Sequence, residues 1–238
     1  MKICVFTDVH GNYEQLKKLV KTEDFITADK RICLGDVVGL GPYQKECMNE
    51  LSKFDYDMVM GNHEARMIYL INDLNPTIDP MICKQFDENR QKLSIYMDKF
   101  KNLPFNYDLV LGGKKFRFTH YGWSNNNMAN RNILLKDKSL TQQFGLKDGE
   151  FDYVIYGHIH SPSDIVEGKT HFIDVGSLGL KSPSNYLIIE VNNNQIVLTK
   201  KLIDFDKDKF LKDCEKLNFP KWEQLLNFSF DNDLEKKS

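Results

Sequence analysis

The sequence reads as an α/β protein with a largely parallel sheet, on two observations. Short apolar, β-rich runs give way in turn to polar or glycine-bearing turns and then to stretches of helical spacing. Five of the six histidines stand just past the ends of the runs that read as strands, the edge at which α/β sheets bind ligands.

The elements follow in order. Ile3 to Thr7 is an apolar run that reads as a buried strand. After a polar turn, Tyr13, Leu16, Leu19 and Val20 recur at helical spacing, with Asn12 as N-cap and Gln15 three residues on. A second strand, Arg31 to Leu34, passes through a glycine-rich turn to Pro42, which suits a first helical position. Tyr43, Cys47, Leu51 and Phe54 then share one apolar face. A third strand, Asp57 to Met60, runs into Gly61 and a further helix. Leu93, Tyr96, Met97 and Phe100 form a helical stripe that ends before Pro104. Strands are expected at Phe116 to Thr119, Tyr153 to Tyr156, Thr170 to Asp174 and Tyr186 to Val191. Asn192, Asn193 and Asn194 turn the last of these into Gln195 to Leu202, a hairpin. From Asp206 onward, mixed lysines and aspartates with Phe210, Leu211, Cys214 and Leu217 predict a closing helix. No repeat or linker interrupts the chain. One domain over residues 1–238 is expected, with a core of about 1–205 and a helical extension over 206–238.

Composition narrows the function classes. The 238 residues are 41% hydrophobic and 28% charged with a net charge of -2, the balance of an ordinary globular protein. A polyanion-binding protein would carry a basic excess, and no basic-aromatic track suited to single-stranded nucleic acid stands out. Cys4, Cys33, Cys47, Cys83 and Cys214 are odd in number and form no CxxC pair. They read as buried free thiols in a reducing compartment. With no signal-peptide pattern and no apolar stretch near the length of a membrane span, a cytoplasmic protein is expected.

The chemistry-bearing residues fall in clusters: Asp8-Val9-His10, Gly35-Asp36, Gly61-Asn62-His63-Glu64, His120, and Gly157-His158-Ile159-His160. A lone Asp-x-His or His-x-His is common by chance and more often structural than functional. Five such clusters, each at a strand end, are hard to explain as coincidence. His171 lies inside a strand-like run, outside any motif, and reads as structural. Carboxylate, imidazole and amide oxygen suit borderline divalent ions: Mn first, with Fe, Zn, Co or Ni as alternatives. No cysteine joins the set, which argues against a structural zinc knuckle. Two carboxylates, four histidines and one asparagine exceed the needs of one ion. Two ions about 3.5–4 Å apart across a bridging carboxylate are the natural arrangement.

Taken as an ordered set, Asp8-x-His10, Gly35-Asp36-x-x-Gly39, Gly61-Asn62-His63-Glu64, His120 and Gly157-His158-x-His160 resemble the calcineurin-like metallophosphoesterases. Val175-Gly176-Ser177-Leu178-Gly179 and the hairpin after it extend the resemblance to roughly residue 205. It implies a sandwich of two mixed β-sheets flanked by helices, of which the residue pattern supports the parallel part alone. It also implies that Asp8, His10 and His160 hold one ion, that Asn62, His120 and His158 hold the other, and that Asp36 bridges them. His63 would face the substrate and protonate the leaving oxygen.

The turn Gly35-Asp36-Val37-Val38-Gly39-Leu40-Gly41 lacks the arginine that the serine/threonine protein phosphatase branch carries there. It looks more like small bacterial relatives, some of which cleave phosphodiesters or dinucleoside polyphosphates. Tyr121 follows His120 where many relatives have glycine, and Tyr121 and Trp123 are expected to form a wall of the substrate pocket; for Trp123 the competing expectation is a core residue beneath the loop. The leading expectation is a hydrolase of phosphate esters or anhydrides that uses a metal-held hydroxide against phosphorus, acting on a small phosphorylated, nucleotide-like substrate. The rivals are a protein phosphatase and a non-catalytic interaction module on the same fold. The sequence leaves the oligomeric state open.

Overall fold

The computed structural model describes residues 1–68, 90–122 and 138–216. Two five-stranded sheets face each other across a shared apolar layer. In the first, β1 (Lys2–Phe6), β2 (Lys30–Cys33) and β3 (Asp57–Met58) run parallel. The long hairpin of β9 (Ser184–Asn192) and β10 (Gln195–Ile203) adds antiparallel to the free side of β1. The second sheet has β5 (Lys114–Thr119), β6 (Tyr153–Tyr156) and β8 (Thr170–Asp174) parallel at its centre. Its antiparallel edges are β4 (Asn106–Leu111) and β7 (Ser163–Glu167). Both sheets are therefore mixed. The βαβ reading holds for β1, β2 and β3 and needs correcting in the second sheet, where tight hairpins rather than helical crossovers join β4 to β5 and β7 to β8. The hairpin of β9 and β10 forms as expected and turns on Asn193 and Asn194, both at positive φ, as a two-residue turn compatible with strand twist requires.

Strand periodicity explains the layers. Ile3 and Val5 of β1 point into the space between the sheets with Ile32, Phe116, Phe118, Ile155 and Ile173. Cys4 and Phe6 point the other way, toward α1 (Tyr13–Leu19) and α3 (Gln44–Leu51), and meet Leu16, Leu19, Cys47 and Leu51. A strand buried on both faces must be apolar throughout, which is why β1 reads as one continuous hydrophobic run. Full burial of each such side chain stabilises the fold by about 1.5–3 kcal/mol. On the outer face of the second sheet, Val154, Tyr156 and Phe172 pack with Tyr121, Phe144 and Phe151.

Asn12 caps α1 by accepting from the Gln15 N–H, as its spacing predicts. The helix expected to begin at Pro42 begins instead at Gln44. The residues before it are engaged elsewhere: the Tyr43 N–H donates to the Gly11 carbonyl, and the Gln44 side-chain amide donates to the carbonyls of Gly39 and Gly41. These bonds tie the turn after β1 to the turn after β2. A short α2 (Glu23–Ile26) precedes β2, and α4 (Asn62–Ile68) follows β3. The stripe ending at Phe100 divides into a 3-10 turn, Ser94–Tyr96, and α5 (Met97–Lys101). Beyond a short α6 (Leu140–Gln143), the closing helix is α7 (Lys207–Lys216). Its Phe210 and Cys214 pack on Leu180 and Leu40, so it covers the loops that follow β2 and β8. Leu217 and the remainder of the extension lie outside the described residues. Cys4, Cys33, Cys47 and Cys214 are buried free thiols as expected, and Cys83 lies outside the described residues. Among the described residues no helix is long and apolar enough to cross a membrane.

Candidate metal centre

The parallel strands of both sheets end at one edge, and the loops that leave them carry every ligand expected from the sequence. Asp8 and His10 follow β1, Asp36 follows β2, and Asn62 opens α4 just after β3. His120 follows β5, and His158 and His160 follow β6. Among the described residues seven non-glycine positions have positive φ, and five of them are Asp8, His10, Asp36, His158 and His160. Such backbone costs on the order of 1–3 kcal/mol per residue and persists where its surroundings fix it. At these turns it re-aims side chains that an extended strand would send to opposite faces.

The first group converges tightly. His160 Nε2 lies 3.1 Å from Asp8 Oδ1 and 3.1 Å from His10 Nε2, and His10 Nε2 lies 3.5 Å from Asp8 Oδ1. The other Asp8 oxygen accepts from the Thr7 hydroxyl at 2.7 Å and from the His158 N–H at 2.9 Å. Those bonds turn Oδ1 toward the imidazoles. Ser177 Oγ and the Gly179 N–H both donate to the Asp8 carbonyl, so the loop after β8 holds its backbone.

In the second group, Asn62 Oδ1 lies 2.8 Å from His158 Nδ1 and 3.0 Å from His120 Nε2. His120 Nδ1 donates to the Leu34 carbonyl at 2.8 Å, which turns Nε2 toward the centre. Asp36 stands between the groups. Its Oδ1 accepts from the His63 N–H, while Oδ2 is 3.2 Å from His120 Nε2 and 3.8 Å from His10 Nε2.

Burial raises the stakes of these charges. It pushes the Asp36 carboxyl up, but His120, His63 and His10 outweigh it and hold that carboxyl below the usual carboxylate range. Asp8 is likewise held low against burial by His160, His120 and His10. Burial pulls His120 down, yet Asp36 and Asp8 raise it to about 9. His158, with burial dominant, falls to about 4. A cation entering here therefore displaces a proton from His120.

The donor set fits divalent metal. Carboxylate oxygens and imidazole nitrogens of Asp8, His10 and His160 lie within 4.8 Å of one another, as do those of Asp36, His120 and His158. Bonds of about 2.0–2.2 Å to one ion place neighbouring donors about 3.0–3.5 Å apart, and the separations above fall near that range. His63 also comes within 4.8 Å of His10 and Asp36. Its ring is buried edge-on to His10, with Nε2 3.9 Å from Asp36 Oδ2. Burial holds its pKa well below the ordinary histidine value. A Cβ at residue 39 would run into this ring, so the position demands glycine.

A family model for the calcineurin-like phosphoesterase superfamily domain matches residues 1–194. The chain belongs to this superfamily. A hypothetical protein of Pyrococcus horikoshii superposes with a TM-score of 0.74 at 17% identity, over 94% of this chain and 97% of that one. A metallophosphoesterase of Sphaerobacter thermophilus gives 0.65 at 20% identity, over 95% and 97%. At these identities the likeness is one of fold. An uncharacterized protein of Methanocaldococcus jannaschii is 34% identical over 62 residues, and the match spans 26% of each protein. The calcineurin-like sandwich of two mixed sheets, inferred from motif order, is the fold observed.

Two expectations need separate treatment. Tyr121 differs from its expected place on a pocket wall: it is 1% exposed and packs in the outer core of the second sheet. Its ring stacks on His158 at 4.8 Å, so it backs a member of the centre from the protein side. Trp123 lies outside the described residues. His171 stays apart from the centre, in β8, 3.6 Å from Asp164. Sequence reasoning assigned no role to Glu64, Thr7 or Ser177. For Glu64 a signal existed: an acid at the third position of α4 that is wholly buried. Its carboxylate accepts from the N–H groups of Asp36, Val37 and Val38 at 2.8, 2.8 and 3.2 Å. Burial and the nearby Asp36 carboxylate, opposed by those bonds, bring its pKa to about 7.

Proposed function

We propose that the protein is a binuclear metal-dependent hydrolase of phosphate esters or anhydrides. Asp8, His10 and His160 would hold one divalent ion, Asn62, His120 and His158 would hold the second, and Asp36 would serve both. The observation that carries this reading is the place of Asp36 Oδ2, within 3.8 Å of a nitrogen from each group. Two bound ions would supply Lewis acidity toward water and toward the phosphate oxygens.

The protein's own residues do the rest. Thr7 and the His158 N–H orient Asp8, and the Leu34 carbonyl fixes the tautomer of His120. His63 sits at the centre beyond the seven ligands, and it would serve as general acid toward the leaving oxygen once it has taken up a proton, which burial opposes and the neighbouring Asp36 carboxylate favours. His160 keeps 17% of its side chain exposed, which gives the centre one solvent-facing side. A small phosphorylated substrate of nucleotide type, either a phosphodiester or a dinucleoside polyphosphate, agrees with the absence of a basic excess. Mn is the first ion to try, with Fe, Zn, Co and Ni after it.

The test is metal removal and replacement. Chelated protein is expected to be inert toward a panel of phosphomonoesters, phosphodiesters and dinucleoside polyphosphates, and to recover with two equivalents of Mn(II). Full activity in rigorously metal-free protein would sink the mechanism. Two bound ions without turnover on any member of the panel would favour a non-catalytic module.

A further inference from the structure

The loop after β2 has to hold Asp36 with its backbone at φ 53 and its carboxylate between two groups of ligands. No regular element does this, since β2 ends at Cys33 and α3 begins at Gln44. The turn after β1 holds its carbonyl side, where the His10 and Gly11 N–H groups donate to the carbonyls of Asp36 and Val37, and its N–H side is held by one side chain from another element. Glu64, on the first turn of α4, sends Oε2 to the Asp36 N–H and Oε1 to the N–H groups of Val37 and Val38. Three successive N–H groups of this kind form a concave anion nest, filled here by the protein's own carboxylate.

The same helix also meets the side chain of Asp36, because the His63 N–H donates to Oδ1 at 2.8 Å. Asp36 is thus held twice by α4, at its backbone through Glu64 and at its carboxylate through residue 63. The junction leaves no room: a Cβ at Gly61 would overlap Asp36 N, Asp36 Oδ1 and Glu64 Oε2. Glu64 touches none of the groups that converge on the centre through its own carboxylate, which is fully committed to the loop.

We propose that Glu64 is a positioning residue of the metal centre, setting Asp36 at its bridging place by occupying the nest of residues 36–38. This rests on the binuclear reading above. Glutamine tests it at constant size. Whichever way its amide turns, an NH₂ group faces at least one backbone N–H, and two donors cannot share a bond. The loop must shift and carry Asp36 with it. Glu64→Asp keeps the charge but is one methylene too short to reach all three donors.

The experiment is Mn(II) titration by calorimetry, together with electron paramagnetic resonance of the loaded protein. It compares wild type, Glu64→Gln, Glu64→Asp and the control Val20→Ala, which trims the core beneath α1. A bridged Mn(II) pair gives an exchange-coupled spectrum that general destabilisation does not erase. Glu64→Gln is expected to bind the ion pair about 10–100-fold more weakly, the usual cost of losing a group that supports a ligand. Its coupled spectrum should give way to that of separate ions. Glu64→Asp should show the same change to a smaller degree and carries the test if the glutamine variant does not fold. Val20→Ala should keep both the affinity and the coupling. Wild-type affinity with an intact coupled spectrum in Glu64→Gln, whatever its melting temperature, would overturn the proposal. Should wild type take a single ion, the binuclear reading fails. The ratio of wild-type to variant affinity still decides the role of Glu64.

Discussion

Asp8, His10 and His160 all stand on left-handed backbone, whereas Asn62 opens a helix and His120 follows a strand in ordinary conformations. Of the second group His158 alone shares the left-handed state. The first group is built by turns whose shape is costly, and hydrogen bonds from Thr7, Ser177, Gly179 and His158 keep them in place. At Asn62 and His120 the second group uses positions the secondary structure offers at little backbone cost, and the far nitrogen of His120 is satisfied by the Leu34 carbonyl. Burial is common to both groups, since Asp8, His10 and His120 are all at most 1% exposed, so the difference lies in the backbone, strained turns on one side and regular element ends on the other.

The largest effect is expected at Asp36, which stands between the two groups. Asp36→Asn keeps the size and removes the charge. Turnover should fall by more than about 100-fold, the upper end for groups that only support a ligand, and calorimetry should no longer register a pair of ions. Retention of both ions with near-normal turnover would refute the bridge. Next, His63→Asn should lose about 10²–10⁴-fold on substrates with poor leaving groups at unchanged metal content. The loss should shrink on an activated nitrophenyl ester. Equal losses on both esters, or loss of metal, would remove His63 from the general-acid role.

The two smaller predictions address the comparison directly. Thr7→Val takes one donor from Asp8 and should weaken the ion of the first group by about 10–100-fold. Titration should find the second group's ion little changed; an equal loss at both would mean that the groups do not differ in how they are held. Least in size is the effect of His160→Asn on chelated protein. Asparagine tolerates the left-handed region, so relief of about 1 kcal/mol should raise the melting temperature by roughly 2–4 °C. The matched change at ordinary backbone, His120→Asn, should lower it, because a buried bond to Leu34 is lost. Calorimetric melts that move in the same direction would remove backbone strain from the account.

The sequence made this centre legible because the residues that converge there sit where apolar runs stop. Asp8, Asp36, His120 and His158 each lie within a few residues of a strand end that hydrophobicity alone could locate. The strands of the inner layer were legible for the same reason: Tyr153–Tyr156 and Thr170–Asp174 have the bounds that their apolar pattern predicts. The edge strands of the second sheet were not. In β4 alternate residues face solvent, and β7 is mostly exposed with Ile165 and Val166 outward, so neither carries the apolar signal of a buried strand. Glu64 escaped for a different reason. An acid early in a helix usually serves the helix dipole in solvent, and its three partners lie 26–28 residues earlier in the chain. Tyr121 was misplaced because closeness in sequence to His120 was taken as closeness to the cleft, whereas the ring turns back beneath His158.

The atoms of the first group come from residues 150 and 152 positions apart in the chain. No local segment can assemble them, so this site cannot nucleate folding as a metal-organised hairpin or knuckle would. β1 must already lie between β2 and β9, and the second sheet must already have docked, before Asp8, His10 and His160 converge. An ion held here would therefore be a late arrival that recognises the finished chain. Its binding energy would secure the whole fold at once, adding about 2.7 kcal/mol when free metal stands at a hundred times its dissociation constant.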